Sequence, residues 1–176
     1  MARSITDRML GALRLRDDVY EEVEADQKAT GEAAFIIVAT SLVSGAVNGV
    51  LTGASSGFFG AIGSFLGWAF YAWVAYIVGV KLFPGPQTKS SWGELARTLG
   101  YANTARFLII FELVPGLQAI TRTVVAIWVL VATVVALRAA LDITTGRAIV
   151  VAIASAIGQL IVIAVALTIL VRLVPT

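Results

Sequence analysis

Four long apolar runs govern what this chain can become. They cover residues 33–51, 58–80, 120–137 and 148–171. Each is close to or above the roughly 20 residues that an α-helix needs to cross a bilayer. In lipid the backbone must satisfy its own hydrogen bonds, so the spacing predicts helices. Composition agrees. The AVILMFWYC set makes up 59% of 176 residues, mean hydropathy is +0.90 and charged residues are 14%, against about 25% in soluble domains. A water-soluble fold of this size buries roughly 60–70% of its surface, too little to hide this much apolar chain. Lipid is the natural solvent for the remainder.

A fifth segment, 95–114, is weaker. Ser91 and Glu94 form a capping box, so a helix is expected to start near Trp92. It passes Leu95, Leu99 and Tyr101 and stops at Pro115-Gly116. Arg106 interrupts it. As an α-helix, Tyr101 to Val114 covers about 21 Å, against about 30 Å of hydrocarbon. Either it crosses with Arg106 snorkelling to one face, or it enters and leaves on the same side.

Residues 1–32 are the one long polar stretch, with five of the 13 Lys/Arg and eight of the 11 acids. No apolar run directly follows the early arginines, so this is not a secretory leader. Ile5, Met9, Leu10 and Leu13 recur at helical spacing. They predict a short amphipathic helix, lying on a membrane surface or packed on the protein's own cytoplasmic side. Asp18 and Glu21 suggest a capping box for a second helix carrying Val19, Tyr20 and Val23, and Thr30 suggests an N-cap for the first span. With the N-terminus inside and five segments crossing, the outer side holds only Arg122 and Arg172 of the Lys/Arg flanking the spans; with four crossing, eleven Lys/Arg lie inside and two outside. Both layouts obey the positive-inside rule and place residues 1–32 in the cytoplasm.

The chain has neither cysteine nor histidine. Disulfides, Cys/His metal sites and His-dependent nucleophilic triads are thereby excluded from it. A net charge of +2, scattered along the chain, does not point to nucleic acid. The glycines fall in apolar runs, not at strand-to-helix turns, so they are not phosphate loops. No cofactor is expected.

Gly45, Gly49, Gly53 and Gly57 repeat every fourth residue, and Gly63 and Gly67 continue the spacing in the second span. Such spacing brings helix backbones close in lipid. Gly45, Gly49, Gly53, Gly63 and Gly67 are expected to pack spans one and two together, or to build a homo-oligomer. Asn48, Asn103, Arg106, Glu112 and Gln159 are polar residues inside spans. Ionisable groups there are functional candidates by default. Six residues of α-helix turn about 600°, which keeps Arg106 and Glu112 off one face. Glu112 and Arg122 flank the Pro115-Gly116 turn, as an interfacial pair or as separate anchors. Arg138 and Arg147, on the connection between the last two spans, complete the candidate set. Trp68, Phe70, Tyr71, Trp73 and Tyr76 either pack a core or line an apolar groove.

Three pieces of the chain carry a resemblance: YEEVEAD before the first span, SWGELARTLGYANTARFLIIFELVPG around the third, and ALRAALDITTGRAIVVAI joining the last two. Together they resemble prokaryotic members of the Yip1 domain family of small integral membrane proteins, over about Asp18 to Val171. The Leu137-Arg138 … Thr145-Gly146-Arg147-Ala148 connection is the most specific piece. The resemblance implies five crossing helices and a cytoplasmic N-terminus. The expected architecture is therefore an all-α integral membrane protein. Its five-helix transmembrane bundle (33–51, 58–80, 95–114, 120–137, 148–171) would lie within a domain at 33–176, behind a cytoplasmic amphipathic segment at 1–32. In eukaryotes the family is associated with vesicle trafficking, small GTPase partners and membrane shaping. The Asp-Leu-Tyr-Gly-Pro motif of those relatives has no close match here, so that role is not carried over.

The expected function is a non-enzymatic scaffold or accessory subunit in the cytoplasmic membrane of a prokaryote. It would contact the lipid bilayer and a protein partner or larger complex, through residues 1–32 and the loops at 81–97 and 138–147. The alternative is a small transporter or channel subunit that uses the broken third span. An intramembrane enzyme ranks last.

Overall fold

The computed structural model describes residues 3–173, with side-chain surroundings for 3–165. The Arg172 side chain, counted with the outer side above, lies outside the described residues. Among the described residues every regular element is helical. Two short helices, α1 (Ile5–Leu13) and α2 (Asp17–Ala25), precede α3 (Ala29–Thr52). Next comes α4 (Ala54–Tyr76), prolonged by a π-helical turn at Ile77–Leu82. Then α5 (Trp92–Ala102) runs without a break into a 3-10 segment (Asn103–Leu113). The long helices α6 (Gln118–Leu141) and α7 (Thr145–Leu173) complete the bundle.

Four helices are long and apolar enough to cross a membrane: Ala29–Thr52, Ala54–Leu82, Gln118–Leu141 and Thr145–Val165. The expected count of five is corrected to four long apolar helices, because 95–114 is not a fifth one, although it carries the chain from the Arg97 end of the bundle to the Pro115-Gly116 turn where α6 begins. Its first half, α5, is turned into the protein, with every residue from Leu95 to Ala102 buried, Arg97 and Thr98 included. Its second half winds as a 3-10 helix. That winding rises about 2.0 Å per residue, so 11 residues reach about 22 Å instead of about 16 Å. The outward faces of the apolar helices suit lipid: Leu42 is 62%, Val50 74% and Leu160 66% exposed. Water would not tolerate a surface this apolar and continuous.

Local chemistry explains some of the helix boundaries. The Ser91–Glu94 capping box forms, with each side chain bonded to the other's backbone N–H. The Asp18–Glu21 box does not. Here α2 starts at Asp17, and Asp18 pairs instead with Arg3 and Arg16. Thr30 lies inside α3, which begins one residue earlier. The gap between the runs at 33–51 and 58–80 shrinks to Gly53 alone, at φ 108°, a backbone conformation that favours glycine.

The α3–α4 hairpin closes on missing side chains. A Cβ on Gly45 would lie 2.7 Å from the Gly57 carbonyl oxygen, and one on Gly57 2.6 Å from that of Gly45. At Gly49 the nearest atom would be 3.6 Å away, ordinary contact. Beside this contact runs an open apolar groove of about 410 Å³, lined by Leu42, Val50, Phe58 and Ala61 with the glycines between.

At the opposite end the connections gather. The Thr88 hydroxyl donates to the Leu141 carbonyl at 2.6 Å, Arg147 to the Pro84 carbonyl at 3.4 Å, and Arg138 pairs with Asp17. Segments 83–91 and 142–144 thus sit with α1 and α2 as one polar headpiece.

Candidate functional site: the polar headpiece

The headpiece is organised by one arginine. Ser4 caps α1, accepting from the Asp7 N–H at 3.2 Å. One turn on, Arg8 points into the protein and is 2% exposed. Its guanidinium reaches Glu22 at 3.0 Å, Asp26 at 2.7 Å and Glu32 at 3.0 Å. These carboxylates come from α2, the residue after it, and α3. A single cation therefore holds three elements, and its rigid fork suits that task. Close approach of α1 to α2 needs Gly11, where a Cβ would meet Val19 Cγ2 at 2.5 Å. The amphipathic helix is thus packed on the protein, with Gly11 and Ala12 buried and Leu10 left outward.

A second arginine ties α5 to this unit. Arg97, 7% exposed, donates to the Val23 and Glu24 carbonyls at 3.2 and 2.5 Å and to the Thr30 hydroxyl at 3.4 Å. Those carbonyls belong to the last turn of α2, where a cation is favoured. Tyr101, fully buried, donates its hydroxyl to Glu32, the same carboxylate that Arg8 grips.

The acids outside this clasp form a face. Asp17, Glu21, Gln87, Arg138 and Asp142 line a groove of about 210 Å³. Glu24 stands close by, and burial followed by the negative charges of Asp142 and Glu94 pushes its carboxyl up to about 7. Asp26 goes the other way: its hydrogen bond from Arg8 holds it below the usual carboxylate range. Asp18 is lowered likewise, first by its hydrogen bond from Arg16.

The structure places the residues singled out from the sequence as follows. Glu112, 1% exposed, is paired with Arg122 at 2.8 Å across the Pro115-Gly116 turn. Arg106 joins neither. Arg138 pairs with Asp17 and donates to the Thr145 hydroxyl at 3.5 Å, and among the described residues Arg147 reaches only the Pro84 carbonyl. Gly45 and Gly49 lie at the α3–α4 contact, Gly53 forms the turn, and Gly63 has open space where a Cβ would be. The Gly67 carbonyl accepts from Gln159 of α7 at 2.9 Å. Of the aromatic group, Tyr71 donates to the Ala152 carbonyl at 3.2 Å. Arg8, Glu32, Arg97 and Tyr101 were not singled out from the sequence. One signal was there for Arg8: it falls between Ile5 and Ala12 on the inward side of α1.

A family model of the Yip1 domain matches residues 11–167. No curated protein and no solved structure matches the chain.

Proposed function

Because this chain belongs to the Yip1 domain family, we propose that it is a non-enzymatic membrane scaffold or accessory subunit that docks a protein partner on its headpiece. Its apolar helices and its family make it a membrane protein. The observation that carries the reading is a groove with Glu21 and Asp142 beside the Asp17–Arg138 ion pair, net acidic, next to a rigid, internally bonded base. An acidic face is repelled by an anionic leaflet and suits a basic segment of a protein. The transporter alternative relies on the third segment, whose carboxylate Glu112 is already committed to Arg122. That favours the scaffold.

The headpiece faces the cytoplasm in this proposal, because ten of the 13 Lys/Arg belong to residues 1–32 and the connections beside them. The chain has no cysteine, so Arg147→Cys gives a single labelling site. An impermeant maleimide is expected to label it in inverted vesicles and not in intact cells; labelling from outside would reverse the topology. Docking is tested with Glu21→Lys combined with Asp142→Asn, the latter because Asn tolerates the left-handed backbone at that position. Chains that co-purify in mild detergent should be lost from this variant. Identical partners on the variant and the unaltered protein would overturn the docking role.

A further inference from the structure

The 3-10 winding of Asn103–Leu113 rearranges the polar residues of the third segment. At three residues per turn, positions three apart eclipse. Asn103, Arg106, Ile109 and Glu112 therefore form one stripe, where an α-helix would have spread them. Glu112 faces α6 through its pair with Arg122, so Arg106 lies on the same side. Glu112 is neutralised by that pair and Asn103 donates to the Leu99 carbonyl. Arg106 has neither hydrogen bond nor ion pair to any described residue, and its Nε is enclosed without a partner.

Depth can be read from the Glu112–Arg122 contact. Arg106 lies about 12 Å back along the 3-10 segment, a level reached about eight residues along the antiparallel α6, near Leu130. Trp128, close to that level, donates its indole N–H to the Leu13 carbonyl at the end of α1, at 2.9 Å. Tryptophan favours the membrane–water interface, and α1 presents Leu10 and Arg14 outward. The unpaired guanidinium thus sits about midway along α6, level with the end of α1.

A cation left uncompensated there is costly, and a planar fork of five donors matches a phosphate. We infer that Arg106 binds a phosphate group beside the end of α1, supplied by an anionic phospholipid headgroup or by a free anion. This is independent of whether the acidic groove docks a protein.

The test places the full chain in nanodiscs of phosphatidylcholine with or without phosphatidylglycerol and counts retained lipid by native mass spectrometry. Arg106→Gln should retain phosphatidylglycerol about tenfold less than the unaltered protein, the factor that about 1.4 kcal/mol of binding free energy carries. Arg106→Lys should fall between, and Arg14→Gln should match the unaltered protein. A second arm measures thermal unfolding in lipid-free detergent with and without inorganic phosphate. Stabilisation by inorganic phosphate that Arg106→Gln abolishes assigns the site to a free anion; a response to phosphatidylglycerol alone assigns it to lipid. Equal retention by Arg106→Gln, with no phosphate effect, overturns the inference. So does an Arg106→Gln variant less stable than the unaltered protein without phosphate, because the guanidinium would then be serving the fold.

Discussion

The headpiece and the α3–α4 hairpin are held together by opposite means. In the headpiece, Arg8 and Arg97 draw α1, α2, α3 and α5 together through bonds to carboxylates and carbonyls. In the hairpin, Gly45 and Gly57 bring two helices together by having nothing between them. The difference follows from the solvent. Water competes for charges at the headpiece surface, so the anchoring arginines are buried there and their partners only partly exposed. Between apolar helices in lipid there is no hydrophobic drive, and close backbone contact supplies the attraction. One region is specified by which groups meet, the other by how closely they meet.

The largest effect should come from breaking the close approach. Gly57→Leu puts atoms against the Gly45 carbonyl and the Gly49 backbone, which cannot yield as a flexible side chain would. A loss of about 3 kcal/mol or more is expected, read as thermal unfolding in detergent. Gly49→Ala should be nearly neutral, since its Cβ meets only ordinary contact. Equal effects would show that the spacing of glycines matters and the individual contacts do not.

Next is Arg8→Gln, which strands three carboxylates. Each is about a quarter exposed (26%, 28% and 30%), so water softens the cost. About 2 kcal/mol is expected, below the usual range for breaking a buried pair. The damage should be local: faster amide exchange in α1 and α2, with α6 and α7 unchanged. Uniform loosening of all helices would mean that the headpiece is not a separable layer.

The smallest effect is a pH profile. The carboxyl of Glu24, raised to about 7 by burial and by Asp142 and Glu94, binds protons more tightly folded than unfolded. Headpiece stability should therefore fall as pH rises from about 5 through 7. Asp26 and Asp18 are lowered, by Arg8 and Arg16 respectively. Their contribution is present above the ordinary carboxylate range and is lost as pH falls through their folded values. Exchange protection of α2 should thus peak in mildly acidic solution. Glu24→Gln should remove the alkaline limb alone, and a profile unchanged by it would place the titration elsewhere.

Legibility in the sequence followed distance along the chain. The Ser91–Glu94 box was readable because both partners lie within one turn. The Glu112–Arg122 pair was readable as one of two alternatives, because a Pro-Gly turn separates ten residues only. Arg8 with Glu32 was not, since the partners lie 24 residues apart and meet only after α1 folds back over α2. Tyr101 with Glu32 spans 69 residues.

What the sequence determined by itself is the solvent and the class of fold. Runs of about 20 apolar residues have one stable outcome in lipid, a helix that closes its own hydrogen bonds. What only the tertiary structure decided is how the third segment winds and which charges meet. The choice between α and 3-10 turns on small differences in backbone energy, which packing against α3 and α6 overrides. That choice put Arg106 and Glu112 on one stripe, gave Glu112 to Arg122, and left Arg106 unpaired among the described residues.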